Sequence, residues 1–282
     1  MREIVFTHSG NLGDILFSLH FIRDYIEWKG ADRALMLLTY GKPAVYGERH
    51  PDGDTQMSER SAKFIIPFLR ESGLFTDVQA AEWAKVEQIR GQIDGCVDLD
   101  EFRQKRISFY GGDNRLWFYA LSSHHFRRDL SENLFEGKFE GDGRAAGKVL
   151  VTYTERVNNY YVPISYCLSE HRDGIAFIGL DSEHRRLESL TGYPIPKIEV
   201  ADMADAARLM KGAKGVIGNQ GGLWSLAEML KVPRLLLAPE YMKMGGALTY
   251  GPCVVHPLGG ECDVVQTIEQ SVRLPDFLFK GG

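Results

Sequence analysis

Short apolar runs alternate with longer amphipathic stretches along the 282-residue chain. Residues 4–6 have the pattern of a buried strand, and a turn with Gly10 follows them. Residues 14–28 then carry apolar side chains at helical spacing up to Gly30, and residues 34–39 are apolar again. The order strand, loop, helix, strand predicts a βαβ unit with parallel strands at the start of the chain.

The first half continues with the same alternation of element types. Residues 41–60 are polar and rich in glycine, proline and acidic side chains, and they predict a long loop. Beyond that loop the periodicity predicts a helix at 61–74, strands at 77–79 and 95–99, and a helix at 115–130. The aromatic residues of the last helix indicate core packing in preference to a binding platform.

A glycine-rich stretch at residues 137–148 divides the sequence into two halves. Its glycines and charges are typical of a linker. After it the pattern predicts strands at 148–153, 175–179, 198–200, 215–218 and 234–238, and helices at 202–210 and 222–230. We therefore predict an α/β protein with two Rossmann-like lobes, residues 1–145 and residues 146–282, and an interdomain cleft that binds the ligand.

Composition narrows the classes of function. Hydrophobic residues make up 44% and charged residues 25% of the chain, as in an ordinary folded protein. The net charge is -5 and neither half is basic, so we expect no nucleic-acid partner. The four cysteines form no CxxC pair, and we expect neither a metal nor a cofactor. The sparse cysteines and the N-terminus, which lacks the apolar run of a signal peptide, predict a cytoplasmic protein. No apolar run reaches the length of a transmembrane helix, so we expect no membrane span, and peripheral membrane association stays open.

The loop after the first strand is the first candidate site. Gly10 and Gly13 flank a turn from strand to helix, His8 precedes the turn, and Asp14 stands near the helix start. Glycine lets a backbone approach a ligand closely, and the N-terminus of a helix attracts anions. A purely structural alternative is that Asp14 only caps the helix, and the residue pattern leaves both interpretations open.

A second glycine-rich turn precedes a helix in the second half. Gly221 and Gly222 would expose backbone N–H groups at the helix start, as a diphosphate-binding site requires. Ser225 and Glu228 share one face of that helix, and the carboxylate is placed to accept hydrogen bonds from ribose hydroxyls. The alternative is a tight turn that needs glycine, with Glu228 as an exposed helix charge.

Two other loops follow predicted strands of the second half, on the side where ligands bind doubly wound sheets. Arg156 could hold phosphate oxygens, although a surface arginine is the simpler interpretation. Gly179 and Glu183 could line a nucleobase pocket, whereas the competing interpretation is that Ser182 caps a helix.

These segments together resemble the ADP-heptose:lipopolysaccharide heptosyltransferases. Residues 7–16, THSGNLGDIL, are similar to the N-terminal motif of that family, a Gly-Asp pair followed by an apolar helix. Residues 218–222, GNQGG, with a helix and then a Val-Pro pair after them, are similar to its donor-site motif. Residues 177–179 and Glu183 match the strand and loop that precede the nucleotide.

The resemblance implies a GT-B fold and a metal-independent, inverting transfer of a sugar from a nucleotide-sugar donor to a glycan or lipopolysaccharide-type acceptor. Because the chain is short for this fold, the resemblance implies a C-terminal crossover helix reduced to about residues 263–272. Asp14 would be the catalytic general base that takes the proton of the acceptor hydroxyl. The acceptor-side loop would contain His8, Ser9, Gly10, Asn11 and Gly13. Donor and phosphate contacts would come from Arg156, Asn219, Gln220, Gly221, Gly222, Ser225 and Glu228, and the nucleobase pocket from Gly179 and Glu183.

The donor motif departs from the pattern of the family. Gln220 stands where the family has Asp, Gly221 where it has Ser or Thr, and Ser225 where it has His. A heptose donor is therefore not implied. The hypothesis is a cytoplasmic glycosyltransferase of polysaccharide biosynthesis, with a nucleotide sugar and a glycan or glycolipid as partners. Two alternatives are a non-catalytic sugar-nucleotide-binding protein and a sugar-nucleotide epimerase of the same fold.

Overall fold

The computed structural model describes residues 2–44, 52–104, 114–122, 129–155, 164–169, 171–237, 258–265 and 278. The chain divides into two compact units, residues 1–129 with 202–204 and residues 130–201 with 205–282. Each unit contains a sheet of parallel strands connected through helices. The predicted α/β class with two Rossmann-like sheets is confirmed. The domain boundary at residues 145/146 stays a prediction.

Four parallel strands form the sheet of the first unit: β1 (Glu3–His8), β2 (Arg33–Tyr40), β3 (Asp77–Glu82) and β4 (Cys96–Asp98). They pair in the order β3-β2-β1-β4. The described helices of this unit are α1 (Leu12–Lys29), α2 (Glu59–Glu71), α3 (Trp83–Ile89), α4 (Glu101–Gln104) and α5 (Asn114–Tyr119). Ile4, Phe6, Met36, Leu38 and Val78 are buried, as the apolar runs of the strands predict.

Helix α1 ends as its sequence predicts. Gly30 adopts a left-handed conformation with φ 57°, and its N–H donates to the Glu27 carbonyl at 3.0 Å. Glycine takes this conformation without the steric cost that a Cβ brings, so it ends the helix cleanly. The aromatic stripe of the predicted helix at 115–130 is core packing where it is described, because Trp117 and Phe118 are buried and contact Phe102.

Five parallel strands form the sheet of the second unit: β5 (Val149–Thr152), β6 (Ile175–Phe177), β7 (Gly215–Gly218), β8 (Arg234–Leu237) and β9 (Cys262–Val265). They pair in the order β6-β5-β7-β8-β9. The described helices are α6 (Ile164–Leu168), α7 (Asp181–Thr191), α8 (Met203–Gly212) and α9 (Gly222–Leu230). None of the helices described in either unit has the length and hydropathy of a membrane span.

Two predictions for the second half are wrong. Residues 198–200 form no strand; a single parallel bridge joins Phe177 to Lys197. Phe177 is the last residue of β6, so residues 198–200 lie beyond the end of the strand that Lys197 meets. Residues 263–265, predicted to start a helix, belong to β9, which pairs with β8. The rest of that predicted helix lies outside the described residues.

The glycine-rich segment at 137–148 is packed rather than extended. The Asp142 N–H donates to the Arg208 carbonyl at 2.9 Å, so the segment is bonded to α8. A Cβ on Gly141 would lie 3.0 Å from the Gly212 Cα, and Ala145 is fully buried. Because two glycine backbones lie against each other here, the glycines serve close packing inside the second unit.

The close contact at the end of β7 gives a test of the fold. A Cβ on Gly218 would lie 2.8 Å from the Thr152 carbonyl oxygen, a backbone atom that cannot move without disturbing β5. Gly218→Ala should therefore lower the free energy of unfolding by about 1–3 kcal/mol. Urea unfolding followed by tryptophan fluorescence measures the change. Gly143→Ala is the control, since a Cβ there meets no atom within 4 Å. Equal stability of the two variants would contradict the proposed contact.

Candidate functional site

Polar side chains of the first unit meet where neighbouring parallel strands end. Ser9 follows β1, Lys42 lies two residues beyond β2, and Asp100 lies two residues beyond β4. Since β1 lies between β2 and β4, these three positions share one edge of the sheet. This is the edge at which ligands bind in open α/β sheets.

Asp100 is the centre of this group, and it is only 2% exposed. Its Oδ1 atom lies 3.1 Å from His8 Nδ1 and accepts the Ser9 N–H at 3.1 Å. Its Oδ2 atom accepts the Ser9 hydroxyl and the Lys42 ammonium, the latter at 3.3 Å. The Ser9 N–H, the Ser9 hydroxyl and the Lys42 ammonium are donors, and hydrogen bonds from donors favour the charged form of the carboxylate.

The pKa of Asp100 reflects a balance between burial and these donors. Burial alone would raise the pKa, because it disfavours the charged form. The hydrogen bonds from His8 and Ser9 and the charge of Lys42 outweigh burial and hold the pKa of Asp100 well below its usual range. The lowered pKa favours the charged form of the Asp100 carboxylate.

Asp14 lies in the first turn of α1, next to this group. Asn11 is the N-cap residue of the helix and Asp14 is its third residue, so the interpretation of Asp14 as the N-cap is wrong. The Asp14 carboxylate instead accepts the Asn11 N–H at 3.0 Å and supports the helix start from its third residue. The side chain is partly exposed. Helix support and contact with a ligand are therefore compatible.

Gly10 fits tightly between two of the predicted site residues. A Cβ on Gly10 would lie 2.6 Å from His8 Cε1 and 2.9 Å from Asp14 Cβ. The histidine ring and the carboxylate therefore flank the Gly10 backbone, and a larger residue would push them apart. The structure thus brings His8, Ser9, Gly10, Asn11 and Asp14 together, and Gly13 lies within the first turn of α1.

In the second unit, Asn219 joins two loops at the carboxyl ends of β5 and β7. Its side-chain oxygen accepts the Thr154 N–H at 2.8 Å, and its side-chain nitrogen donates to the Thr154 carbonyl at 2.6 Å. Asn219 is buried. Both groups of its side-chain amide are thus used to position these loops. Any contact with the predicted nucleotide-sugar donor would come from the backbone that Asn219 holds in place.

Gly221 and Gly222 form the start of α9. Gly221 is the N-cap residue and Gly222 the first residue of the helix. Gly221 has no side chain with which to cap the first N–H groups of the helix. The helix itself supplies no carbonyl acceptor for these N–H groups. The Ser225 hydroxyl donates to the Gly221 carbonyl at 2.9 Å and tightens this turn. Gln220 is partly exposed beside it.

Glu228 is fully buried, so its interpretation as an exposed helix charge is wrong. Its Oε2 atom accepts the Arg234 Nε–H at 2.6 Å, and its Oε1 atom accepts the Lys231 ammonium at 2.7 Å. Arg234 is also fully buried and donates to the carbonyls of Val232, Leu258 and Gly259. A ribose contact through Glu228 stays a prediction, and it would have to compete with this buried ion pair.

Gly179 and Glu183 lie at the end of β6. Gly179 has φ 144°, and a Cβ there would lie 2.8 Å from Phe177 Cζ, so both backbone and space favour glycine. Leu180 is the N-cap residue of α7, and Glu183 accepts the Leu180 N–H at 3.4 Å. The interpretation of Ser182 as the cap is therefore wrong, since the carboxylate supports the helix start from its third residue.

Burial raises the pKa of Glu183 to about 7. Hydrogen bonds from the Leu180 N–H and the Thr154 side chain act in the opposite direction, whereas the nearby negative charge of Glu155 raises the pKa further. Thr154 also bonds to Asn219. Glu183 therefore belongs to the same group of loops as the start of α9.

Sequence reasoning did not find Asp100, Lys42 or Thr154. A usable signal existed, because each follows a strand by one or two residues. Arg156, which sequence reasoning did select, lies outside the described residues. Within the described ranges, no group of three or more His, Cys, Asp or Glu side chains is arranged to hold a metal ion.

The buried Glu228–Arg234 pair gives a test of its structural role. Glu228→Gln keeps the shape of the side chain but leaves the Arg234 charge without its carboxylate, which typically costs about 3–5 kcal/mol. Trp224 is the one tryptophan of the second unit and is buried in α9, so its fluorescence in urea titrations follows this unit.

The control for Glu228→Gln is Glu59→Gln, which removes an exposed pair with Lys63 and should leave the free energy of unfolding nearly unchanged. Equal stability of Glu228→Gln and the wild type would show that the pair contributes nothing.

Glu183 gives a prediction for the dependence of stability on pH. The folded state raises the pKa of this carboxyl from 4.5 to about 7, so folding favours the protonated form. The resulting stability is complete below about pH 4.5 and is lost as the pH rises to about 7, with a slope of at most about 1.4 kcal/mol per pH unit. Chemical denaturation at several pH values should show this loss in the wild type.

Glu183→Gln should remove the loss between pH 4.5 and 7, because the amide does not titrate. Asp181→Asn in the same helix is the control, since Lys197 lowers the pKa of Asp181 and moves its titration below this range. An unchanged pH profile in Glu183→Gln would refute the assignment.

Comparison with known proteins was informative at the level of structure alone. No family model matches the sequence, and no curated protein is significantly similar to it. The structure is similar to that of the E. coli heptosyltransferase WaaC with ADP, with a TM-score of 0.59, 12% identity, and coverage of 99% of this chain and 95% of that chain.

Two further solved structures agree with this result. WaaC with ADP-2-deoxy-2-fluoro heptose gives a TM-score of 0.55 at 13% identity, over 99% of this chain and 95% of that chain. A glycosyl transferase family 9 protein from Veillonella parvula gives 0.51 at 10% identity, over 95% and 86%. At such identities the likeness establishes the fold only. The chain therefore has the GT-B fold of the heptosyltransferases.

Proposed function

We propose that the protein is a glycosyltransferase that moves a sugar from a nucleotide-sugar donor to a glycan or glycolipid acceptor, by metal-independent transfer with inversion. One observation carries the proposal. Asp14 lies at the carboxyl end of β1, partly exposed, and the Asn11 N–H and the close fit of Gly10 fix its position.

In this reaction an acceptor hydroxyl attacks the anomeric carbon of the donor sugar. The new C–O bond forms as the bond to the diphosphate oxygen breaks, and the hydroxyl proton passes to the Asp14 carboxylate. A carboxylate can act in this way when it is within hydrogen-bond reach of the hydroxyl and accessible to substrate. Asp14 meets the second condition, since its side chain is partly exposed.

The second unit offers groups suited to the leaving diphosphate. The first amides of α9, at Gly221 and Gly222, form the positive end of a helix dipole, which stabilises a diphosphate as negative charge develops on it. Asn219 and Thr154 hold the neighbouring loops in place through two hydrogen bonds. In the proposal, Arg156 contacts the phosphates, while Gly179 and Glu183 contact the base.

The neighbours in the comparison support a nucleotide sugar as the donor, because WaaC was solved with ADP and with an ADP-heptose analogue. The departures at Gln220, Gly221 and Ser225 support a sugar other than heptose. The proposal includes a cytoplasmic location for the reaction and a glycan or glycolipid as its acceptor.

Two measurements test the proposal. A thermal-shift screen with ADP, UDP, GDP, CDP and dTDP should find at least one diphosphate that raises Tm, because a ligand at 100 times its Kd adds about 2.7 kcal/mol to stability. Asp14→Asn should lower the release of diphosphate from the matching nucleotide sugar by about 100- to 10,000-fold and leave the Tm shift unchanged.

The control for Asp14→Asn is Asp77→Asn, at the opposite edge of the same sheet, which should retain activity. Absence of a Tm shift with all five diphosphates would refute the donor site. Binding without turnover of any nucleotide sugar would instead identify a binding protein, and conversion of the sugar without an acceptor would identify an epimerase.

A further inference from the structure

The carboxylate of Asp100 receives donors from two directions in the first unit. From β1 and its loop come His8 Nδ1, the Ser9 N–H and the Ser9 hydroxyl; from the loop after β2 comes Lys42. A buried carboxylate is costly unless its oxygens are bonded, and here both oxygens are. Asp100 is partly responsible for the shape of the turn that follows β1, because two consecutive residues of that turn depend on it.

His8 has two competing partners on one nitrogen. Nδ1 lies 3.1 Å from Asp100 Oδ1 and 3.0 Å from the Gly10 nitrogen. It can donate a proton to the first or accept one from the second, but not both. Because Asp100 is an anion, a bare Nδ1 lone pair facing it would be repelled, and the proton therefore resides on Nδ1.

The other ring nitrogen, Nε2, is buried and has no hydrogen-bond partner within the described part of the chain. Among the described neighbours, only Asp100 can accept a proton from the ring, and it faces Nδ1.

The His8 ring in turn contacts the turn that carries Asp14. Cε1 of the ring lies on one side of Gly10 and the Asp14 side chain lies on the other, with no room for a Cβ between them. A rotation of the ring toward Gly10 would therefore displace Gly10 and, with it, the Asn11 N–H that Asp14 accepts. Asp100 controls whether that rotation occurs.

We propose that Asp100 is a positioning residue for the reaction proposed above, on which this inference rests: it holds His8 as the Nδ1–H tautomer and thereby sets the place of the Asp14 carboxylate. Lys42 balances the charge of Asp100 from the other side. Asp100 is buried and acts through His8 and Ser9, without contact with substrate.

Two substitutions separate the parts of this arrangement. Asp100→Leu removes every acceptor, so the His8 proton should move to Nε2 and Nδ1 should accept the Gly10 N–H. Asp100→Asn keeps one acceptor oxygen for His8 but turns an NH2 group toward the other donors, so it should retain the Nδ1–H tautomer. Long-range 1H–15N NMR of 15N-histidine protein reads the tautomer, and His8→Gln assigns the signal.

Turnover gives the second readout, with release of diphosphate from the nucleotide sugar found above. A displaced catalytic group costs of the order of 100-fold, so we expect kcat to fall about 100-fold in Asp100→Leu and less in Asp100→Asn, with the donor KM unchanged. In the Asp14→Asn background neither substitution should lower kcat further, because Asp100 acts only through Asp14. Asp77→Asn remains the control.

The outcomes distinguish this inference from the proposed function. An unchanged His8 tautomer in Asp100→Leu, or losses that add to those of Asp14→Asn, would overturn the positioning role while transfer stands. A wild type without turnover, in which Asp100→Leu shifts the tautomer and the amide signals of residues 9–14, would refute transfer and support Asp100 as the residue that positions Asp14. If Asp100→Leu fails to fold, Asp100→Asn provides the test. A loss of kcat in Asp100→Asn that adds to the loss in Asp14→Asn would overturn the positioning role.

Discussion

Parallel pairing of the described strands is the constraint on which the rest of this molecule depends. In a parallel sheet all strands end at the same edge, so loops that are far apart in sequence become neighbours. Ser9 and Asp100 are joined in this way in the first unit, and Thr154 and Asn219 in the second. In both cases a side chain of one loop bonds the backbone of the other. Side-chain hydrogen bonds thus connect neighbouring segments beyond the last residues of the paired strands.

Each unit contains a buried carboxylate, and the two carboxylates serve different structural purposes. Around Asp100 a buried anion is bonded to the backbone of a turn, so the charge fixes a loop. Around Glu228 a buried anion is bonded to Arg234, whose other donors reach the carbonyls of residues 258 and 259, so the charge ties a helix to a strand and to a distant segment. The first arrangement leaves a second carboxylate, Asp14, partly exposed beside it, which is the condition for chemistry.

The sequence predicted most of the regular structure, because buried parallel strands are continuous apolar runs and α1 has a clear stop at Gly30. It failed at residues 198–200, where apolar residues suggested a strand but the neighbouring strand β6 already ends at Phe177, opposite Lys197. It also predicted the glycine turns, since their residue types act locally. Asp100 was not predicted because its partners His8, Ser9 and Lys42 lie 92, 91 and 58 residues away, and only the pairing of β1 with β2 and β4 brings them together. Glu228 was misjudged because helical spacing does not show which neighbour a helix face meets.

The pairing of Asn219 with Thr154 has a chemical consequence over the lifetime of the protein. Both halves of the amide are used, the oxygen as an acceptor and the nitrogen as a donor. Spontaneous deamidation would replace that nitrogen with a carboxylate oxygen and set it against the Thr154 carbonyl, so attraction would become repulsion. Hydrolysis of this side-chain amide would then separate the two loops. A deamidated molecule would therefore differ from a newly made one at this contact. Because Asn219 is buried, the fold also shields the amide from the water that this ageing requires.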